Sequence, residues 1–226
     1  MFFGPSFIIL IPALIISLYA QYKVKSTFNK YHEEYSNKGI SGAEVARKLL
    51  KENGLDNVAV KQVDGKLSDH YDPKEKVLNL SGDVYSSNSL AAIGVAAHET
   101  GHAIQDAKGY NPMKIRAALV PAANLGSNFG LPLAVMGFIF WDSLMYVGLI
   151  VFLAAVLFHM ITLPVEFNAS NRALIALKQG NYLSDEELQG SKKVLRAAAF
   201  TYVAATIVAI ANLLRILIMI GLGQDD

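Results

Sequence analysis

Two of the chain's five histidines stand four residues apart in Ala96-Ala97-His98-Glu99-Thr100-Gly101-His102-Ala103-Ile104-Gln105-Asp106. The flanking residues read as helix, and on a helix positions i and i+4 share a face, so both imidazoles can point at one metal ion. Glu99 stands beside the pair, where its carboxylate can reach a water on the metal without being a ligand. His-Glu-x-x-His on a helix is the pattern of zinc-assisted peptide hydrolysis, with the Glu as general base. The chain has no cysteine. That excludes a thiolate ligand and a disulfide framework, and permits a reducing compartment.

Two histidines do not complete a catalytic zinc site, which needs a third protein ligand and keeps its fourth position for water. One class of such enzymes supplies a histidine six residues after the second motif histidine, with a glycine between. Position 105 is Gln and position 108 is Lys, so that class is excluded. Asp106, one helical turn beyond His102, could be a ligand; an acid bonded to a ligand, or a solvated one, is the better reading. The remaining solution is a Glu on a later helix. Glu166, in Pro164-Val165-Glu166-Phe167-Asn168-Ala169-Ser170-Asn171-Arg172-Ala173, fits that role. The plain alternative is an acid at a membrane boundary.

The elements that must position these residues include membrane spans. Of the 226 residues 53% are hydrophobic and only 17% charged, and the charges are unevenly placed. Met1–Tyr22, Ala117–Trp141, Ser143–Val165 and Ala197–Leu214 contain none. A spanning helix needs about 20 mainly apolar residues, with a range of about 17–25, and all four stretches qualify. The second contains Pro121, Asn124, Asn128, Gly130 and Pro132 and is expected to be broken in its middle. The first is followed by Lys23, Lys25 and Lys30 and lacks a small-residue cleavage site, so it reads as a retained anchor rather than a signal peptide. The net charge of +1 argues against nucleic acid as a partner.

Between the first two spans the composition is that of a soluble domain. Ser41-Gly42-Ala43-Glu44 opens a helix that ends at Asn53-Gly54. Asn57–Val63 reads as a strand, Asp64-Gly65 as a hairpin turn and Lys76–Ser81 as a second strand. The capping candidates Ser86–Ser89 precede a helix over Leu90–Lys108, closed by Gly109 and Pro112. Further helix is expected at Glu166–Lys178 and Asp185–Arg196. All Lys and Arg except Arg215 fall in Lys23–Arg116 or Arg172–Arg196. By the positive-inside rule both regions face the cytoplasm and both chain ends lie outside. If Glu166 meets His98 and His102, an even number of crossings must separate them, and two crossings agree with the charge count.

The His-Glu-Thr-Gly-His segment, the preceding Lys76-Val77-Leu78-Asn79-Leu80-Ser81, the later Val165-Glu166-Phe167-Asn168-Ala169-Ser170 and the surrounding spans resemble the membrane zinc metallopeptidases of the YugP type. More distantly, they resemble the HtpX-like gluzincins. The resemblance covers most of the chain. It implies His98, His102 and Glu166 as zinc ligands and Glu99 as the catalytic residue. HtpX-like enzymes usually carry an Asp four residues after the ligand Glu, where this chain has Ser170. The ring N–H of a ligand histidine must then find Asn168, Ser170 or Asn171 instead.

Other residues keep two readings. His159, two turns before Glu166, is an interior histidine satisfied by a neighbouring helix, or else an oxyanion donor near the metal. His70 is a surface histidine or a substrate contact, and His32 is solvated. Arg172 orients the ligands or pairs with Asp106, or is a solvated interface residue. Strand Lys76–Ser81 is either an edge that pairs with an extended substrate or an ordinary internal strand. Val63-Asp64-Gly65 resembles the Asp-Gly element of intramembrane site-2 proteases, but it precedes the metal motif and lies outside any span; a turn explains it better.

The expected protein is a multi-span α-helical membrane protein with a small α+β zincin-like catalytic domain and about four transmembrane helices. Residues 1–22, 117–141, 143–165 and 197–222 span. Residues 23–116 form a cytoplasmic α+β part with the metal helix, and 166–196 a cytoplasmic helical part with the third ligand. The expected activity is zinc-dependent endopeptidase cleavage by a zinc-activated water, with Glu99 as base. The location is the bacterial plasma membrane, with the catalytic part cytoplasmic. The partners are Zn²⁺, a peptide or membrane-protein substrate and the lipid bilayer, without nucleic acid; a homo-oligomer stays open. The rivals are an intramembrane metalloprotease and a non-catalytic scaffold with a structural zinc.

Overall fold

The computed structural model describes residues 7–65 and 68–223. The first six residues of the expected first span, the two residues after Asp64-Gly65 and the tail Gln224-Asp225-Asp226 lie outside them. Eight α-helices and a three-stranded sheet make up the described residues. They are α1 (Leu10–His32), α2 (Gly42–Glu52), β1 (Ala59–Val63), β2 (His70–Asp72), β3 (Val77–Ser81), α3 (Gly82–Tyr85), α4 (Leu90–Ala107), α5 (Asn111–Leu125), α6 (Leu131–Phe140), α7 (Asp142–Gln179) and α8 (Asp185–Gly223). The chain divides into two compact units, one of residues 22–111 and 165–200, the other of 1–21, 112–164 and 201–226.

The first unit is built around α4. Its N-cap is Ser89, whose hydroxyl accepts from the Ala92 N–H. Its end is set by Gly109 at φ +63°, with the Tyr110 N–H returning to the Gln105 carbonyl. Both are the capping devices the sequence offers. Helix α4 is rich in Ala and Gly, and nearly every residue from Leu90 to Gln105 is buried. Small side chains let neighbouring elements approach its backbone closely. Leu90, Ile93 and Ala97 join Tyr31 of α1, Val45 and Leu49 of α2, Ala173 and Leu177 of α7 and Leu188, Val194 and Leu195 of α8 in one apolar core. Helix α2 begins as expected, with Ser41 and Glu44 capping each other reciprocally.

The sheet differs from the sequence expectation. Asp64-Gly65 does not close a hairpin. β1 pairs in parallel with β3, and β2 comes between them in sequence and pairs antiparallel with β3 from the other side. The hairpin is the turn from Asp72 to Lys76, where Asp72 Oδ1 accepts the Lys74 and Glu75 N–H groups as an Asx turn does. Strand β3 is therefore the central strand, buried on both faces, and the substrate-edge reading of Lys76–Ser81 falls. The free edges belong to β1 and β2.

In the second unit, α5 and α6 follow one another through a π-helical turn at Gly126–Gly130. The expected break is thus a local widening of a continuous helical stretch, with Pro121 inside α5 and Pro132 in the first turn of α6. Ala134, Phe152, Val156, Ala209 and Ile216 form one apolar cluster of this unit and Leu10, Ala13 and Ala211 another. A Cβ at Gly148 would sit 2.3 Å from the Ala134 nitrogen, so α6 and α7 pack backbone to backbone there. Among the described residues three helical stretches are long and apolar enough to cross a membrane: Asn111–Phe140, Ser143–Gln179 and Asp185–Gly221. Helix α1 is not one of them, because Lys23, Lys25 and Lys30 occupy its second half. The helical stretches expected at Glu166–Lys178 and Asp185–Arg196 are continuous with the spans they adjoin, the first following its span in α7 and the second preceding its span in α8; Pro164 lies inside α7.

Candidate metal centre

The helical spacing places His98 and His102 on one face of α4, their rings 4.7 Å apart and nearly perpendicular. Glu166 of α7 faces both. Its Oε2 is 3.2 Å from His98 Nε2 and 3.6 Å from His102 Nε2. The ligand atoms of the three residues all lie within 4.8 Å of one another. A tetrahedral zinc with bonds of about 2.0–2.2 Å sets its ligand atoms roughly 3.3–3.6 Å apart. The observed separations fit that geometry, and two imidazoles with one carboxylate are a catalytic zinc donor set with a position left over. Glu166 is only 2% exposed; a buried carboxylate that faces two histidine nitrogens is well matched to a cation between them.

The close approach of α4 and α7 depends on Gly101. A Cβ there would lie 2.5 Å from the Ala169 carbonyl oxygen, closer than real carbon–oxygen contacts allow. The glycine inside the motif is what lets Glu166 reach the histidines.

Each histidine has a partner on its other ring nitrogen. His98 Nδ1 is 3.1 Å from Ser170 Oγ, so of the three candidates for that role Ser170 fills it. His102 Nδ1 is 3.0 Å from Gln105 Oε1. Gln105 is fully buried, and its Nε2 donates to the Val165 carbonyl at 2.8 Å and to Asn168 Oδ1 at 3.0 Å. A backbone carbonyl only accepts, so Nε2 must face Val165 and Oε1 must face His102. The proton of neutral His102 is then on Nδ1, and its Nε2 lone pair is free for a metal. Burial lowers the His102 pKa, but hydrogen bonding to Glu166 and the charges of Glu99 and Glu166 outweigh it, so the net shift is upward. Gln105 is not among the sequence candidates. The signal was there: a long polar side chain one turn after a ligand, on the buried face of an Ala/Gly helix.

Glu99, 9% exposed, lies beside the ligands, with Oε2 accepting the Tyr71 N–H of β2 at 3.1 Å. Asp106 is not in the ligand cluster. Its Oδ2 takes the Tyr71 hydroxyl at 2.8 Å and the Lys76 ammonium at 2.5 Å. Burial and then the Asp106 hydrogen bond push the Tyr71 phenol well above the ordinary tyrosine range. Asp69, which accepts from the Ser81 N–H and hydroxyl, is raised by burial, and the nearby Glu99 charge adds to the shift.

The remaining sequence candidates are not among the clustered ligand residues. Arg172 does not pair with Asp106: its Nε donates to Asn168 Oδ1 at 2.6 Å and its guanidinium lies over the Tyr110 ring. His70 is exposed, its ring between the Ser68 carbonyl and the Asn79 amide. His32 is not simply solvated; its ring stacks on Phe28 and its Nδ1 meets Ser89 Oγ at 3.3 Å. His159 belongs to the other unit, its ring edge-on to Phe158.

Comparison with known proteins agrees with this site. The profile of a family described as "putative neutral zinc metallopeptidase" matches residues 6–221. A Bacillus subtilis (strain 168) protein named "Putative membrane protease YugP" is 45% identical over 218 residues, 96% of each chain. No solved structure matches the chain. With a match over almost its whole length and a His-His-Glu cluster of zinc-binding geometry, the chain belongs to the neutral zinc metallopeptidase family.

Proposed function

We propose that this chain is a gluzincin-type membrane endopeptidase in which His98, His102 and Glu166 hold zinc and Glu99 is the general base. The observation that carries this reading is the convergence of the two Nε2 atoms and Glu166 Oε2 at zinc-ligand separations, with Glu99 alongside. His98, His102 and Glu166 would hold zinc, which when bound would supply Lewis-acid chemistry toward a scissile carbonyl and an attacking water. Glu99 takes the water proton and delivers it to the leaving amine. Ser170 and Gln105 hold the two imidazoles in ligand orientation, and burial of Glu166 keeps bulk water from competing for it.

The residue 23–116 and 166–196 segments form a zincin-like part on the cytoplasmic side of a bacterial plasma membrane. The distribution of Lys and Arg supports that orientation. The charge-free stretch 1–22 is the fourth span, beside the three apolar helical stretches. The substrate is a peptide or a membrane protein, cut in an aqueous segment. Glu99→Gln retains zinc at wild-type stoichiometry and lowers cleavage at least about 10²-fold. A mutant that cleaves at the wild-type rate removes Glu99 as base. Mapping the cut to the middle of a spanning helix would replace this reading with an intramembrane protease.

A further inference from the structure

Glu99 accepts one hydrogen bond among the described residues, and its donor is a main-chain group on a different element, the Tyr71 N–H. Tyr71 is the middle residue of β2. Its N–H points away from β3, toward α4, and its side chain is buried. The phenol reaches Asp106, seven residues after Glu99 on the same helix. Positions i and i+7 share a helix face and lie about 10 Å apart along the axis. One tyrosine therefore touches two carboxylates of α4, one through its backbone and the other through its hydroxyl. Strand β2 cannot slide along α4 without breaking one of these bonds. Lys76 closes the arrangement: it sits at φ +53° in the β2–β3 turn, a left-handed conformation unusual for a lysine, and its ammonium meets Asp106.

We infer that Tyr71 is the positioning residue of the catalytic base: Asp106, braced by Lys76, anchors the phenol so that the Tyr71 N–H fixes the Glu99 carboxylate beside the metal cluster. This rests on Glu99 being the base. Holding Oε2 on a fixed donor leaves Oε1 as the oxygen that receives the proton, in an orientation that no side-chain rotation need search for. The bond also explains why Asp106 lies near the site without being a ligand.

The test uses the full-length zinc-loaded protein in detergent, with Tyr71→Phe, Asp106→Asn, Glu99→Ala and Glu99→Gln variants. Hydrogen exchange at the Tyr71 amide needs no turnover. It is slow in the wild type and about tenfold faster in Glu99→Ala, Tyr71→Phe and Asp106→Asn, the effect of losing one hydrogen bond. Zinc content stays at the wild-type level in all of them. On a quenched-fluorescent peptide cleaved by the wild type, Tyr71→Phe and Asp106→Asn lower kcat about tenfold and leave KM within about twofold. A merely structural role would lower thermal stability and leave kcat per zinc-loaded molecule unchanged. Asp106→Asn keeps the test open should Tyr71→Phe fail to fold. An unchanged Tyr71 exchange rate in Glu99→Ala, or wild-type kcat in both clamp variants, overturns the inference. Wild-type cleavage by Glu99→Gln sinks the base itself, and the exchange result then stands or falls separately.

Discussion

The surroundings of His98 and of His102 solve one problem in different ways. His98 leans on a single hydroxyl, Ser170 Oγ, presented by α7. A hydroxyl donates or accepts equally well, so this contact holds the ring without choosing its tautomer. His102 leans on Gln105 from its own helix, and Gln105 is tied to α7 by two further bonds. There the carbonyl of Val165 fixes the amide orientation, and the amide fixes the tautomer. Asn168 Oδ1 also takes Arg172 Nε, which extends the network from a buried ligand to a half-buried cation. One histidine is held by contact, the other by a chain of donors whose directions are forced.

The largest break is at the place both arrangements share. Gly101→Ala adds a methyl 2.5 Å from the Ala169 oxygen, and the obstacle is backbone, which has no rotamer to change. Alanine gains about 1 kcal/mol of helix propensity over glycine, against an overpacking cost of about 1–3 kcal/mol. The net loss of stability is modest. The separation of α4 from α7 is not, because Glu166 and Ser170 move away from both histidines together. Zinc affinity should fall by at least about 100-fold, measured by competition with a chromophoric chelator.

Next comes Gln105→Leu, which keeps volume and leaves the His102 N–H and Asn168 without their buried partner. It should cost about 2–3 kcal/mol in thermal stability and about 10–100-fold in zinc affinity. Gln105→Glu sharpens the comparison, since the carboxylate still accepts from His102 but cannot donate to Val165. If it recovers zinc affinity without recovering stability, orientation of the ring and tethering of α7 are separate functions of one residue. Ser170→Ala should have a smaller effect, about tenfold in affinity and about 1 kcal/mol in stability. The His98 side chain is 14% exposed against 9% for His102, so a water can take the place of the hydroxyl. An equal loss in Ser170→Ala and Gln105→Leu would erase the distinction drawn between the two histidines.

Much of this site is legible in the sequence, and the reason is local. His98, Glu99 and His102 are related by helix periodicity, the caps of α2 and α4 by short-range chemistry, and Glu166 by the need for a third ligand on a later helix. What stayed hidden depends on non-local pairing. Nothing in Lys76–Ser81 says that β1 will join it in parallel across the intervening β2, so its central place in the sheet was not readable. For Asp106 the sequence favours an acid bonded to a ligand or a solvated one over a ligand, but its partners Tyr71 and Lys76 are not readable, because helix periodicity gives its face and not the tyrosine that fills that face. The π turn at Gly126–Gly130 was read as a break, since Pro, Asn and Gly mark an irregularity without specifying its form.

The smallest effect concerns protons, and it separates the two histidines once more. The His102 pKa is raised above the imidazole value of 6.5 in the metal-free site, with Glu99 and Glu166 outweighing burial. A raised value means that the bound proton stabilises the metal-free fold. That contribution is complete below the unfolded imidazole value and is lost as pH rises through the raised one. Zinc requires the same nitrogen without its proton, so protons and metal compete. Below the raised value each unit of acidification should weaken zinc binding by about tenfold for the one proton displaced from His102, about 1.4 kcal/mol. Above it that dependence should flatten. Measuring zinc affinity from pH 6 to 8 tests this, and Gln105→Leu adds a control: without the acceptor on Nδ1 the imidazolium loses a partner, and the slope should move to lower pH. In Ser170→Ala the His102 slope should stay where it is, because that hydroxyl touches only His98.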